Sequence, residues 1–308
     1  IEKKMENEER TYHIPVLLMP SVDGMNIRPD GVYADMTFGG GGHSREILSR
    51  LAPEGRLLAF DQDPDAAKNV IQDSRFQFIP YNFEHLKKFL QFYKAYPVDG
   101  ILADLGVSSH QFDTPERGFS HRFNDNLDMR MNRNKGISAA ELLASYPPHQ
   151  LTKILGEYGE VQQPQRIVNL IIKYREEKEI ITTGDLVEAV KPALPHGKEN
   201  KILSQIFQAI RIEVNHEIGV LKEFLSQTTE ALKPGGILSI ISYHSLEDRL
   251  VKNFMKTGNF EGELEKDFYG NPLTPFTTIT RKAIIPNDEE IATNSRSRSA
   301  KLIIAQKK

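Results

Sequence analysis

Short apolar segments that alternate with helix-period patterns constrain this chain more than any other feature. In the first third, GVYADMTF, GRLLAFDQD, RFQFIPYNF and VDGILADLG are brief apolar runs, most of them bounded by Gly, Pro or Asp. Between the first two, HSREILSRL sets Ile47, Leu48 and Leu51 at helical spacing. PDAAKNVIQ, between the second and third, is short and helix-compatible. EHLKKFLQFYKAY then places Leu86, Phe89, Leu90 and Tyr93 on one face. Strands that alternate with helices specify βαβ units, because parallel neighbours need a crossover connection.

The rhythm stops near Phe119. From there to Glu199 no strand pattern is evident, and AAELLASY, HQLTKILGEYG, QRIVNLIIKYREEKE and GDLVEAVKPAL read as helices punctuated by Gly and Pro. One long helical pattern covers Lys201 to Leu232, after which LKPGGILSIISYHS reads as a Pro-Gly-Gly turn leading into an apolar strand. PFTTITRKAII and SAKLIIAQK close the chain as two strand-like segments. The polar stretch between them shows no helical pattern, so an antiparallel return is expected. The expected fold is α/β: a doubly wound sheet with an antiparallel end and a helical insertion after the fourth strand. Residues 1–118 and 200–308 would form the main domain, and 119–199 the inserted one.

Composition removes several function classes. The chain has 308 residues and no cysteine, which excludes disulfides, thiolate zinc sites and cysteine nucleophiles. Its nine histidines show no HExxH or similar ligand spacing, so no metal is expected. No run of 18 apolar residues is found, and the polar start lacks a signal-peptide core, so a cytoplasmic protein without a membrane span is expected. The net charge of -3 argues against a general nucleic-acid coat protein but leaves room for basic patches. One patch runs from Arg281 to Lys308, with seven Lys/Arg against three Asp/Glu; another holds Arg122, Arg130, Arg133 and Lys135.

DMTFGGGGHS carries the sharpest functional signal. Its four consecutive glycines, Gly39 to Gly42, follow a strand and precede a helix. Glycine permits positive φ and close backbone approach to a ligand, and a helix N-terminus offers free N–H groups to an anion. Asp61 ends the second strand 19 residues after Gly42, where Rossmann-type sites place an acid on ribose hydroxyls. The pair points to an adenosine-containing cofactor. Phe83, just past the third strand, is placed to pack against an adenine. Asp104, Ser108, Ser109 and Gln111 follow the fourth strand, at the ligand-binding end of such sheets.

HIPVLL, DMTFGGGGHS, DQDP, DLGVSSHQFD, GFSHRFNDNLDMRM, SYHSLEDR and SRSRSAKL occur in order from residue 13 to 302. This set resembles the RsmH (MraW) family of bacterial methyltransferases, which act on the N4 amine of a cytidine in 16S rRNA. The resemblance implies a Rossmann-like class I methyltransferase sheet and S-adenosylmethionine as methyl donor. It also implies the small ribosomal subunit as partner and a helical domain that recognises RNA. It assigns Gly41, Gly42 and His43 to the cofactor, Asp61 to its ribose, and Phe83, Asp104 and Gln111 to the same pocket.

Many methyltransferases of exocyclic amines carry an Asp/Asn/Ser-Pro-Pro-aromatic motif after the fourth strand. Here the corresponding residues are Asp104-Leu105-Gly106-Val107, so the ring that would hold the target base is not specified. Phe112, Phe119 and Tyr243 are candidate stacking rings, and Asp104 is the leading candidate acceptor for the target amine. His244 and the SLEDR segment read either as substrate contacts or as a helix cap with an internal salt bridge. Two rival functions stay open on these residues alone: an NAD-dependent oxidoreductase, which the glycine loop and Asp61 also suit, and a non-catalytic RNA-binding assembly factor.

Overall fold

The computed structural model describes residues 15–308; His13 and Ile14 of the HIPVLL motif lie outside them. Seven strands form one sheet: β1 (Val32–Asp35), β2 (Arg56–Phe60), β3 (Phe76–Ile79), β4 (Val98–Asp104), β5 (Leu232–Ser242), β6 (Phe276–Thr278) and β7 (Lys301–Lys307). Their order is β3-β2-β1-β4-β5-β7-β6. The first five strands pair in parallel, β7 runs antiparallel to β5, and β6 runs antiparallel to β7. This is the Rossmann-like class I methyltransferase sheet with its antiparallel end. Strand order reverses between β1 and β4, which opens a crevice at their carboxyl ends.

Strand side chains alternate between two apolar layers, as the two-residue period requires. Leu238, Ile240, Ile303 and Ala305 join the larger layer, which α3 (Leu86–Phe92), α10 (Glu217–Ala231) and α11 (Ser245–Thr257) cover. Ile237, Ile241, Leu302 and Ile304 face the opposite side together with Val16 and Leu17. On that same side, α1 (Leu18–Asp23) and α2 (Gly42–Ser49) cover β1 and β2 through Val22, Met25, Ile47 and Leu48. Each such aliphatic side chain stabilises the fold by roughly 1.5–3 kcal/mol.

Between β4 and α10 the chain forms α4 (Ser109–Asp113), α5 (Ala139–Ser145), α6 (Pro148–Glu157), α7 (Pro164–Glu177), α8 (Thr183–Val190) and α9 (Glu199–Val214). Their starts follow from local chemistry. Ser138 and Thr182 cap α5 and α8 with reciprocal bonds to Glu141 and Asp185, and Pro occupies the first turn of α6 and α7. A separate apolar cluster gathers Phe119, Leu127, Met129, Leu142, Ile154, Ile171 and Leu186 with Leu203, Ile206, Phe207 and Ile210 of α9.

Three local readings of the sequence need correction. The long helix expected over Lys201–Leu232 is two helices, α9 and α10. Asn215 turns its side chain away to bond Met129 O and Met131 N, and His216 takes a left-handed φ of 51°. The Pro-Gly-Gly segment lies within β5 rather than ahead of it. Pairing jumps there from Val98–Leu232 to Gly100–Ile237, and Gly235 absorbs the irregularity at φ 79°. The polar stretch before β7 contains a helix, α12 (Asp288–Thr293). Asn287 caps it and three acids fill its first turn, a start signal that apolar periodicity does not register.

Candidate functional site

The glycine loop is a tight turn built on β1 and β2. Phe38 N donates to Phe60 O at 2.9 Å, and Gly41 N donates to Phe38 O at 2.7 Å. Gly39 and Gly41 take φ values of 49° and 77°, which other residues adopt only with strain. A Cβ on Gly40 would meet nothing within 4 Å, so the loop presents bare backbone to an open side. Gly41 is the N-cap of α2 and offers no side chain, so the N–H groups of Gly42, His43 and Ser44 have no partner within the helix and can meet an anion. Gly42 packs against Pro15, whose Cγ would stand 2.1 Å from an added Cβ. Gly41→Ala is expected to lower stability by ~1–3 kcal/mol, read as a fall in melting temperature, because a Cβ there strains the αL backbone and meets Phe38.

Three carboxylates converge at the ends of the central strands. Asp35 is fully buried, accepts from Ser44 Oγ at 2.6 Å and from Thr37 N at 3.0 Å, and burial pushes its carboxyl up to about 6. Asp61 accepts from Gly39 N at 2.7 Å and Asp63 N at 2.8 Å, and burial lifts it to about 6 as well. Asp104 ends β4. Its backbone N donates to Thr37 Oγ1 at 2.7 Å, and its Oδ1 accepts from Tyr243 OH at 2.7 Å. Burial raises Asp104 to about 7; the Tyr243 bond opposes that shift, while the charges of Asp35, Glu247 and Glu290 add to it.

His43 does not neutralise this cluster. Burial drives its ring down to about 4, so it is neutral at pH 7. Its Nε2 lies 3.2 Å from Val16 O, a bond that requires the proton on Nε2 and leaves the Nδ1 lone pair 4.0 Å from Asp104 Oδ2. The three acids are therefore met by neutral donors rather than by a cation.

Gln111 stands one layer behind. It forms a capping box with Ser108 and donates Nε2 to Asp63 Oδ2 at 2.7 Å. Asp63 also meets Arg117 Nη1 at 2.9 Å. Arg117, 1% exposed, reaches Asp65 at 3.1 Å and donates to the carbonyls of Arg130 and Met131. Sequence reasoning overlooked Arg117. The alternating acids Asp61, Asp63 and Asp65 signal a need for a cation, but nothing local identifies a partner more than fifty positions away.

The structure brings Gly39, Asp61, His43, Asp104 and Tyr243 to one end of the sheet and links Gln111 to it through Asp63. Phe83, half-buried at the margin of the main core, lies edge-on to Phe224 with ring centres 5.2 Å apart. Among the stacking candidates, Phe119 is 4% exposed inside the helical cluster and offers no free face. Phe112 is half-buried beneath the Arg296 guanidinium, 5.2 Å from its ring centre. Tyr243 lies beside Gly106, whose added Cβ would sit 3.5 Å from the ring. Of the two readings of His244, the geometry gives the cap: its Nδ1 accepts from Glu247 N at the start of α11. Glu217, His244 and Glu247 bring ligand-type atoms within 4.8 Å of one another, and Arg211 clamps Glu217 through bonds of 2.8 and 2.9 Å.

A model of the MraW methylase family matches residues 10–308. The chain belongs to the MraW methylase family. It is 55% identical over 304 residues to "Ribosomal RNA small subunit methyltransferase H" of Bacteroides thetaiotaomicron, covering 99% of this chain and all of that protein. The protein of the same name from Bacteroides fragilis is 56% identical over 304 residues, again covering 99% of this chain. That of Flavobacterium johnsoniae is 57% identical over 296 residues, 96% of this chain and 98% of its own length. The match spans the helical segment between β4 and α10 as well as the sheet, so the family resemblance covers both cores. Among the described residues no helix is long and apolar enough to cross a membrane.

Proposed function

We propose that this protein uses S-adenosylmethionine to methylate the N4 amine of a cytidine in 16S rRNA of the small ribosomal subunit, in the cytoplasm. The observation that carries the cofactor reading is the bare glycine loop and uncapped α2 N-terminus beside Asp61, in a chain of the MraW methylase family. Membership of a methylase family favours a methyl-donating adenosine cofactor over a nicotinamide dinucleotide. The substrate reading rests on family membership and on relatives named for small-subunit rRNA methylation.

When bound, the cofactor supplies an electrophilic methyl group, so the chemistry asks for no metal. The α2 N-terminus and Gly41, Gly42 and His43 hold its carboxylate end, and Asp61 accepts from the ribose hydroxyls. Gln111 supports that wall through Asp63, and Phe83 flanks the adenine side. Asp104 accepts a hydrogen bond from the target amine and turns the nitrogen lone pair, otherwise shared with the ring, toward the methyl group. Tyr243 fixes Asp104 Oδ1 and leaves Oδ2 for the substrate. Asp104 then receives the amine proton and passes it to water. Positioning of this kind supplies roughly 7–11 kcal/mol in favourable cases.

Residues 119–199, completed by α9, form the inserted domain that recognises the RNA. Removing the target base from a duplex costs a few kcal/mol, which stacking on Phe112 or Tyr243 offsets in part. Of the first basic cluster, Arg130 and Arg133 face Asp128, whereas Arg122 and Lys135 lack an acidic partner among the described residues and are free to meet phosphates. Arg296 is engaged by Asp113, while Arg298 is exposed. Removing charge at Arg296 and Arg298 is expected to weaken subunit binding and flatten its salt dependence while sparing the cofactor. An unchanged affinity across a salt series would remove both from the RNA-binding surface.

The deciding experiment combines methyl-labelled S-adenosylmethionine with small subunits from cells that lack the protein, followed by digestion and mass spectrometry of the RNA. Labelled N4-methylcytidine at one site is the expected product. Cofactor binding without transfer would reopen the choice of substrate, and RNA binding with neither would favour an assembly factor.

A further inference from the structure

Away from the catalytic crevice, α11 packs against the β6–β7 edge of the sheet. A cavity of about 300 Å³ opens there with a cationic rim and an apolar floor. Lys252, Lys256, Arg281 and Lys282 form the rim, and no carboxylate lines the cavity. Lys252 meets Asp248 at 2.7 Å, but Lys256, Arg281 and Lys282 have no acidic partner among the described residues. Met255 and Ile303, both buried, form the floor. The volume is at the lower end of the range for small-ligand pockets, roughly 300–1,000 Å³. The half-buried methyl groups of Thr278, Thr280 and Ala283 above that floor suit the face of a base, and three unpaired cations suit its phosphate.

The place of this cavity connects it to the active site. β6 is three strands from β4 in the sheet order, so the cavity is roughly 14 Å to the side of Asp104 at the usual strand spacing. Lys301 stands between them. It pairs across the sheet with Ser242, the residue before Tyr243, and shares Asp248 with Lys252. A polyanion that leaves the catalytic crevice along the ends of β5 and β7 meets Lys301 first and the cavity next.

We propose that this cavity holds a second, unmodified nucleotide of the substrate RNA and so sets the register of the target cytidine. The inference rests on the RNA reading above. The same chemistry would accept a free nucleotide, and the test separates the two sources.

Three forms of the full chain are compared on small ribosomal subunits: wild type, the triple variant Lys256→Glu/Arg281→Glu/Lys282→Glu, and Ala283→Phe, which fills the cavity without changing charge. Melting temperature and cofactor affinity report folding and are expected to stay at wild-type values in both variants. The triple variant is expected to raise KM for subunits at least about tenfold and to reduce the salt slope of binding by roughly 2, with kcat preserved. Ala283→Phe is expected to raise KM while leaving the salt slope alone.

A wild-type KM and slope in the triple variant would overturn the proposal. A raised KM in the triple variant alone would overturn nucleotide insertion and leave plain backbone tracking. Saturable binding of cytidine or adenosine monophosphate that the triple variant loses, with subunit KM unchanged, would assign the cavity to a free nucleotide instead. Wild-type protein that neither binds nor methylates subunits would remove the RNA reading itself, and this inference with it.

Discussion

Asp104→Asn is expected to lower the rate of methyl transfer from bound cofactor by about 10²–10⁴-fold, the range for losing a positioned proton acceptor. The amide keeps the shape of the side chain and can still accept from Tyr243 OH, so the pocket is preserved and the charge is lost. The pH profile identifies the cause. In the free protein the Asp104 carboxyl sits at about 7, so its acceptor form accumulates as pH rises through that value. At limiting cofactor, kcat/KM should climb about tenfold per unit below pH 7 and level off above it. Tyr243→Phe removes the hydrogen bond that holds Asp104 down, so the midpoint moves to higher pH and activity recovers in alkali.

Stability moves the other way. A carboxyl raised by folding contributes stability that is complete below its unfolded value and is lost as pH rises through about 7. Asp104→Asn should therefore melt at or above the wild-type temperature at pH 8, which separates lost chemistry from a damaged fold. A variant that binds cofactor much more weakly but turns over normally once saturated would reduce Asp104 to a cofactor contact.

Much of this arrangement is legible in the sequence because the sheet and the cofactor loop are local problems. Strand period, glycine conformation and helix starts act over a few residues, so Gly39 to Gly42, Asp61 and Asp104 declare themselves where they stand. The partnerships that complete the site are not local. Tyr243 and Asp104 are 139 positions apart and meet at 2.7 Å because β4 and β5 are neighbours. From sequence Tyr243 is a ring that could stack; its hydroxyl acquires a role through the pairing of Asp104 with Ile241. Phe83 shows the converse. Its place after β3 fits an adenine contact, but an aromatic at a strand end serves a core equally well, and its ring meets Phe224. The α9–α10 break is hidden for a similar reason: apolar spacing runs through it, and Asn215 is drawn out by Met129 and Met131.

Arg117→Met is expected to destabilise the protein by about 3–5 kcal/mol, the usual cost of breaking a buried ion pair from one side. The residue is 1% exposed and Asp63 is 6% exposed, so water cannot replace the guanidinium. Its removal strands the Asp63 charge beside Gln111 and leaves the carbonyls of Arg130 and Met131 without their donor. A chain of this size should lose roughly 5–15 °C in melting temperature. Because Asp63 follows Asp61 on the loop that ends β2, cofactor affinity should fall with stability. Asp63→Asn in the Arg117→Met background removes the orphaned charge and should recover part of the loss, so the double variant melts above Arg117→Met alone. Strictly additive losses would mean that Arg117 acts through Asp65 and its two carbonyl bonds and not through Asp63. The coupling reaches the helical insert because Arg130 and Met131 lie within it, ahead of α5, and Met131 belongs to its apolar cluster. Through Arg117, the loop that ends β2 and the segment that precedes α5 are held by one side chain.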